Sequence, residues 1–265
     1  MKNISKRPVI IIVNFSSGAP EVVKDLERID EMVMARYPDN EVRWVFAYGG
    51  SRKKLLASGG TTFARKVPVK SLEEVYADLR KEGKRDVVVQ NLLITTGDSE
   101  YSTLMTPADG LNVEYAYPLL QTPDNIGRVA RALEPDFGTE DTVTIICGHG
   151  SEKMPAFNLP LLRLDKYLRT HYHNVFLATL DGPPGNEAAF ADALKSGLKK
   201  VKFIPFIIVP GEHLSHDIIG DNPESYKSQL RLEVASTPGL YASPAVMSIW
   251  MEGIDWALVK FSSLG

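Results

Sequence analysis

The feature that most restricts the fold of this chain is an order of strands and helices that occurs twice. Each half shows strand, helix, strand, helix, strand, and then a glycine followed by an acid. Residues 9–18 correspond to residues 143–151, and residues 84–98 correspond to residues 200–212. Strands that alternate with helices form parallel sheets through right-handed crossovers. This internal duplication predicts an α/β protein of two similar lobes, with an active-site cleft between the carboxyl ends of their sheets.

The expected lobes are residues 1–127 and residues 128–265, with the last helix able to pack back on the first lobe. Periodicity predicts strands at residues 8–14, 41–47, 86–95, 111–119, 142–147, 175–180 and 201–209, with 240–242 extended. It predicts helices at residues 21–37, 71–82, 125–133, 160–172, 187–196, 226–234 and 245–259. Ser71 and Glu74 have the spacing of a capping box, and Gly83 follows as a stop.

The stretch from Thr142 to Ser151 is where chemistry is expected. A run of β-branched and apolar residues ends at Gly148-His149-Gly150, so His149 should lie just past the carboxyl end of a buried strand. Open α/β sheets place their ligands there, and the flanking glycines leave room for a close approach. A tight turn whose histidine contacts a neighbouring carbonyl is the simpler alternative.

Two further groups are expected at the same edge of the second sheet. Asp181 and His213 each follow a predicted parallel strand of the second lobe. Two imidazoles and a carboxylate suit a divalent ion of intermediate softness, and three protein ligands leave an open coordination position. The same imidazoles titrate near neutrality and suit a general base. Asp181 in Asp-Gly-Pro-Pro-Gly is equally suited to a turn, and His213 to an ordinary loop, although Glu212, His216 and Asp217 make that loop rich in coordinating groups.

Composition restricts the function classes. Of 265 residues 44% are hydrophobic and 24% charged, which is typical of a globular enzyme. A net charge of −3 argues against nonspecific nucleic-acid binding. The single cysteine, Cys147, excludes an intrachain disulfide, and the longest apolar run near the N-terminus, Val9 to Val13, is too short for a membrane span or a signal segment. A cytoplasmic protein with no membrane or nucleic-acid partner is expected, and a homo-oligomer is left open.

The chain resembles the anaerobic cobalt chelatases (sirohydrochlorin cobaltochelatases), class II chelatases related to ferrochelatase. Four features carry the resemblance: the strand into Phe15-Ser-Ser-Gly18, Gly148-His149-Gly150, Val209-Pro-Gly-Glu-His213, and the segment from Asp221 to Lys227. The resemblance covers nearly the whole length. It implies two flavodoxin-like or Rossmann-like lobes and insertion of Co²⁺ into sirohydrochlorin without a nucleotide. It also implies that His149 and His213 bind the metal and accept the pyrrole protons.

This chain departs from that family at two positions. Asp181 stands where the family has a glutamate, and Leu93 stands where members carry a histidine. Asp181 is the expected third metal ligand beside the two histidines, with a side chain one methylene shorter than that of glutamate. Fe²⁺ and Ni²⁺ remain open beside Co²⁺, because ligand type selects poorly among these ions.

The resemblance and the lobe edges together give a set of expected substrate contacts. Backbone N–H groups of the Phe15–Gly18 turn and the cationic Arg52–Lys54 segment would meet the carboxylates of a tetrapyrrole. The full set is Phe15, Ser16, Ser17, Gly18, Glu100, Gly148 and Glu212. Two alternatives remain: a tetrapyrrole or metal carrier with His149 or His213 as an axial ligand, and a metal-dependent hydrolase.

Overall fold

A computed structural model describes residues 7–95, 97 and 105–262, and these residues form an α/β structure of two compact units. The first unit comprises described residues 7–92, 105–118 and 250–262, and the second comprises residues 93–95, 97 and 119–249. The division therefore differs from a single cut between residues 127 and 128. No helix among the described residues is both long and apolar enough to span a bilayer.

The first unit is built on a parallel four-stranded sheet in the order β2-β1-β5-β6. Its strands are β1 (Val9–Asn14), β2 (Val42–Phe46), β5 (Asp86–Asn91) and β6 (Asn112–Tyr115). A two-stranded antiparallel hairpin, β3 (Thr61–Thr62) and β4 (Val67–Pro68), lies outside this sheet. The helices are α1 (Pro20–Arg36), α2 (Gly49–Ala57) and α3 (Leu72–Lys81). All six residues of β1 are buried, as expected for a strand covered on both faces.

The second unit repeats this topology in a parallel sheet of order β10-β9-β7-β8. Its strands are β7 (Thr142–Gly150), β8 (Val175–Asp181), β9 (Lys200–Phe206) and β10 (Glu233–Ser236). Its helices are α4 (Pro123–Leu133), α5 (Leu159–His171), α6 (Glu187–Lys195) and α7 (Tyr226–Leu230). One π-helical turn spans His213–Ile218, and short 3₁₀ turns span Glu134–Asp136, Pro155–Asn158 and Leu240–Ala242. The duplicated order of parallel strands is thus confirmed.

The last helix, α8 (Pro244–Ser262), begins in the second unit and ends in the first. The Trp250 indole N–H donates to the Asn91 carbonyl at the end of β5, at 3.1 Å. The Tyr37 hydroxyl donates to the Asp255 carboxylate at 2.8 Å. Glycine is required at position 253, because a Cβ there would lie 2.6 Å from the Tyr117 carbonyl oxygen. These contacts place residues from 250 onward against the core elements of the first unit.

The capping prediction, which depends on residues of a single helix, is confirmed, whereas several predicted element boundaries are wrong. Ser71 caps α3, and both hydrogen bonds of the predicted capping box with Glu74 are present. The predicted helix over 226–234 is wrong in its second part, because Arg231 adopts a left-handed φ of 53° and ends α7 before the edge strand β10. The extended segment predicted at 240–242 is a 3₁₀ turn. The third strand ends at Asn91 rather than at Thr95.

Candidate functional site

His149 is the second-to-last residue of strand β7 and does not lie beyond the end of the strand. The strand continues past Cys147, and Gly150 pairs with Asp181 of β8. Only glycine fits at position 150, where φ is +78° and a Cβ would stand 1.9 Å from the Asp181 carbonyl oxygen. Gly148, the residue before His149, is buried within the strand. The close approach of the two strands therefore fixes the backbone on both sides of the exposed His149 side chain.

The tautomer of His149 follows from its one hydrogen bond. Its Nδ1 lies 2.8 Å from the Gly150 carbonyl oxygen, which can only accept. The proton of a neutral imidazole must therefore be on Nδ1, which leaves the Nε2 lone pair for a metal ion or a proton. The interpretation of this residue as a turn histidine that contacts a carbonyl describes its Nδ1 correctly and leaves Nε2 available.

His213 opens the π-helical turn that follows β9 and is held by Asp217. Its Nδ1 lies 2.7 Å from Asp217 Oδ2, and His216 Nδ1 lies 2.8 Å from Asp217 Oδ1. Burial acts to raise the pKa of Asp217, but the hydrogen bonds from His216 and His213 outweigh it and lower that pKa. The ionised carboxylate accepts from both rings, so the neutral His213 also carries its proton on Nδ1 and presents Nε2.

The two imidazoles lie side by side. Their ring centroids are 4.9 Å apart and the planes meet at 85°. A metal 2.0–2.1 Å from each nitrogen would lie about 3.2 Å from each centroid, which puts two ligating rings about 4.5–5.2 Å apart for angles of about 90–109° at the metal. The observed spacing lies within that interval. The spacing of the rings is thus the one that shared ligation of a single ion requires.

Asp181 lies near the pair but is engaged elsewhere. Its Oδ2 accepts the Glu152 backbone N–H at 3.2 Å, and so holds the segment that follows β7. No three His, Cys, Asp or Glu side chains of residues 7–95, 97 and 105–262 are gathered as a metal-binding group. Cys147 is fully buried, which raises the pKa of its thiol, so it offers no thiolate. Ligation by Asp181 thus stays a prediction.

The predicted substrate contacts of the first unit lie at the carboxyl edge of its sheet. Phe15 packs partly buried against the core of that unit, and the Ser16 backbone N–H donates to Asn14 Oδ1 at 2.9 Å. The Ser17 hydroxyl accepts the Ala19 N–H at 3.5 Å, and Pro20 at the helix start has no N–H. The Ser16 backbone N–H, one of the donors expected to bind an anion, is therefore engaged within the protein. The Arg52 guanidinium donates to the Phe46 carbonyl at 3.2 Å.

The remaining candidates divide between the second unit and the part of the chain that is not described. Glu212 is exposed and comes directly before His213. Glu100 lies outside the described residues. The structure adds Asp217, to which the sequence assigned no role of its own. The available signal was the His213-x-x-x-Asp217 spacing, which brings two side chains together in a helical turn.

The fold is similar to that of solved chelatases. The structure is similar to SirB from Bacillus subtilis with Fe³⁺, with a TM-score of 0.66, 12% identity, and 97% and 98% of the two chains covered. It is also similar to CbiX, described as the terminal enzyme for biosynthesis of sirohaem in denitrifying bacteria, with a TM-score of 0.57, 16% identity, and 95% and 99% covered.

Within that class the chain belongs to the cobalt chelatase (CbiK) family, whose model matches residues 8–258. It is 28% identical to the sirohydrochlorin cobaltochelatase CbiKC of Nitratidesulfovibrio vulgaris, over 94% of this chain and 90% of that one. It is 21% identical to the sirohydrochlorin cobaltochelatase of Salmonella typhimurium, over 95% and 97% of the two chains. The resemblance to the cobalt chelatases inferred from the sequence is thereby confirmed.

Proposed function

We propose that this protein inserts Co²⁺ into a sirohydrochlorin-type tetrapyrrole, as the names of its curated relatives indicate. One observation carries the assignment of the site. The ring centroids of His149 and His213 lie 4.9 Å apart, and Nδ1 of each ring is hydrogen-bonded to an acceptor. Both Nε2 atoms are left to act on the same ligand. The metal is a substrate of this reaction, and Fe²⁺ or Ni²⁺ would suit the same two nitrogens.

The stoichiometry of metal insertion matches this pair. A free tetrapyrrole carries two pyrrole N–H protons, and both must leave when a divalent ion enters the ring. In the proposed mechanism the ion first binds Nε2 of His149 and His213. As the macrocycle nitrogens replace them, each freed Nε2 takes up one proton. The site therefore exchanges one dication for two protons, and its charge stays constant through the step.

Asp217 has a distinct part in this mechanism. An imidazole that accepts a proton becomes a cation, and the carboxylate 2.7 Å from Nδ1 stabilises that cation on His213. His149 has only the neutral Gly150 carbonyl behind it. The two histidines thus differ in the group behind the ring, which is a carboxylate for His213 and a backbone carbonyl for His149. Asp181 and Glu212 assist at the same edge in this proposal, and no nucleotide is needed because metal binding by the macrocycle drives the reaction.

On the substrate side the proposal retains Phe15, Ser16, Ser17, Gly18 and Gly148 as backbone or apolar contacts and Glu100 as a guide for the metal. The segment Arg52–Lys54 lies on α2, which follows β2, and supplies cations to the tetrapyrrole carboxylates. The hydrogen bond already made by the Ser16 N–H limits the part of Ser16 to shape and position rather than anion binding.

The test is anaerobic mixing of purified protein with sirohydrochlorin and Co²⁺, followed by visible absorption against a protein-free control. We expect multiple turnovers without ATP, and loss of turnover in His149→Ala and His213→Ala. His173→Ala is the matched control, because His173 is also exposed in the second unit but precedes β8 at the other edge of the sheet. Tight binding of the macrocycle without turnover would instead indicate a tetrapyrrole carrier. Equal loss in all three variants would refute the assigned site.

A further inference from the structure

The segment that leaves the strand of His149 exposes an unusual amount of apolar surface. Met154, Leu159 and Leu162 are 39%, 48% and 38% exposed, and all three fall within nine consecutive positions. Elsewhere in the described chain the large exposed apolar side chains occur singly or in pairs. Isolated cases of this kind need no explanation, whereas a cluster beside a candidate site does. We call these three residues the apolar ledge.

The ledge is a fixed surface, because hydrogen bonds hold the turn that carries it. The Asn158 side chain is buried and donates to the Ser151 carbonyl at 2.8 Å. The Met154 N–H donates to the Ser151 hydroxyl at 3.2 Å. The Glu152 N–H donates to Asp181 at 3.2 Å, and so ties the turn to the end of β8. The start of the turn is therefore anchored to the carboxyl edge of the sheet, where His149 lies.

The helix that follows orients the other two members. Leu161, Leu164 and Leu168 form the buried face of α5. Leu159 and Leu162 are three residues apart, which places them on one outer face of its first turns. That end of α5 is the end connected to β7, so the apolar part of the helix surface adjoins the His149 edge.

Cations border the ledge. Lys153 and Arg163 are exposed, and neither forms an ion pair with any residue that the structure describes. The exposed Glu152 is the one acid beside them in the turn. An apolar surface edged by uncompensated positive charge suits a flat molecule with apolar faces and carboxylates on its periphery. A carboxylated tetrapyrrole has that chemistry.

We infer that the apolar ledge packs against the tetrapyrrole, with Lys153 and Arg163 meeting its peripheral carboxylates. This inference rests on the proposed function and assigns to that site a substrate-contacting surface outside the metal-binding pair. The side chains of Met154, Leu159 and Leu162 select for the macrocycle and take no part in proton or metal transfer. Their contribution should therefore appear in tetrapyrrole binding, not in the chemical step.

The test compares the native protein with the triple variant Met154→Gln, Leu159→Gln, Leu162→Gln. Leu194→Gln is the matched control, because Leu194 is 53% exposed on α6 of the same unit. We expect KM for sirohydrochlorin to rise about tenfold in the triple variant, with kcat and KM for Co²⁺ within about twofold of native. The control should match the native protein. Circular dichroism checks folding, which exposed substitutions of this kind should leave intact.

A second pair of measurements distinguishes the ways in which the inference can be wrong. Quenching of sirohydrochlorin fluorescence gives Kd without turnover, so the ledge is tested even if the native protein proves inactive. An unchanged Kd and KM in the triple variant would overturn the inference. So would a native dimer that the triple variant converts to a monomer with unchanged KM, which would make the ledge an interface between copies. Lys153→Glu with Arg163→Glu should weaken binding most at low salt.

Discussion

The two units have the same strand order and differ at the carboxyl edge of the sheet. β1 in the first sheet and β7 in the second are the equivalent central strands, and Asn14 and Gly148 occupy equivalent positions opposite β2 and β8. The Asn14 side chain accepts the Ser16 N–H, which turns the chain out of the first sheet. Gly148 has no such side chain, and β7 runs on to Gly150. The next residue packs against the core in the first unit, as Phe15 does, and is exposed in the second, as His149 is.

This difference teaches that a duplicated fold can keep its core and assign chemistry to one copy. The buried strands of both sheets carry β-branched and aromatic residues, so their packing is preserved. The exposed edge is free to change because few core contacts depend on it. In the second unit it holds the histidine pair, and in the first unit the equivalent position holds a phenylalanine.

The largest expected effect comes from replacing His149 and its counterpart Phe15, each by the residue found at the other position. His149→Phe removes one of the two Nε2 atoms, and we expect kcat/KM for metallation to fall about 10²–10⁴-fold. Phe15→His places an imidazole where the first unit has none, and kcat should stay within about tenfold of native. Stopped-flow absorption under anaerobic conditions measures both. A His149→Phe protein of near-native activity would remove the functional distinction between the two edges.

The next effect concerns the glycine that lets β7 continue. Gly150→Ala forces a Cβ against the Asp181 carbonyl at a positive φ, and we expect a loss of about 2–3 kcal/mol in unfolding free energy. Gly148→Ala is the control, because a Cβ there meets its nearest neighbour, Thr179, at an ordinary 3.5 Å. Chemical denaturation followed by far-ultraviolet circular dichroism compares the two variants. Equal stabilities would contradict the proposed role of the close strand approach.

A smaller effect is expected from Asp217→Asn. The amide can accept from one ring only, and its N–H₂ opposes the Nδ1–H of the other, so His213 or His216 must change tautomer or turn away. We expect Co²⁺ affinity to fall about 10–100-fold. Calorimetric titration with Co²⁺ measures it. His216→Ala should weaken binding less, since it leaves the His213 hydrogen bond in place.

The smallest effect lies at the amino-terminal edge of the first sheet, which carries a network of four charges. Arg43 and Lys84 both pair with Glu82 and with Glu41. The hydrogen bonds from Arg43 and Lys84 lower the pKa of Glu82 from 4.5 to about 2. A lowered folded-state pKa stabilises the protein above the unfolded-state value, and this stabilisation disappears as the pH falls toward 2.

Glu82→Gln should therefore lower the free energy of unfolding by less than about 1 kcal/mol at pH 7, because the ion pairs of Glu82 with Arg43 and Lys84 are partly exposed. The difference from native should shrink between pH 4.5 and pH 2, in the range set by the shifted pKa of Glu82. Thermal unfolding at a series of pH values measures it. The corresponding edge of the second sheet has the exposed pair Lys200–Asp141, so Asp141→Asn should have a smaller effect. A larger effect there would contradict the comparison.

The sequence predicted those features that neighbouring residues decide on their own. The buried strands, the capping box at Ser71 and the duplicated order all follow from local composition and spacing. The convergence of His149 and His213 also followed, because carboxyl ends of parallel strands share one edge.

Other features depend on a partner distant in sequence and were missed. The extension of β7 requires Asp181 on the adjacent strand. Likewise, Val234 was assigned to a helix because its pairing with Val201 of β9 cannot be read from the segment itself. Long-range pairing overrides local helical spacing at such positions. Asp217, by contrast, was missed although both of its partners, His213 and His216, lie within four residues of it.

The course of α8 has a consequence for synthesis on the ribosome. A chain emerges from its N-terminus, and domains commonly fold in that order as they emerge. Here residues 250–262 belong to the first unit, and Trp250 and Asp255 bond to Asn91 and Tyr37. The first unit thus acquires its closing helix only after the second unit has been synthesised. An N-terminal fragment that ends between the two copies would lack that helix, so truncation there does not yield a complete first unit.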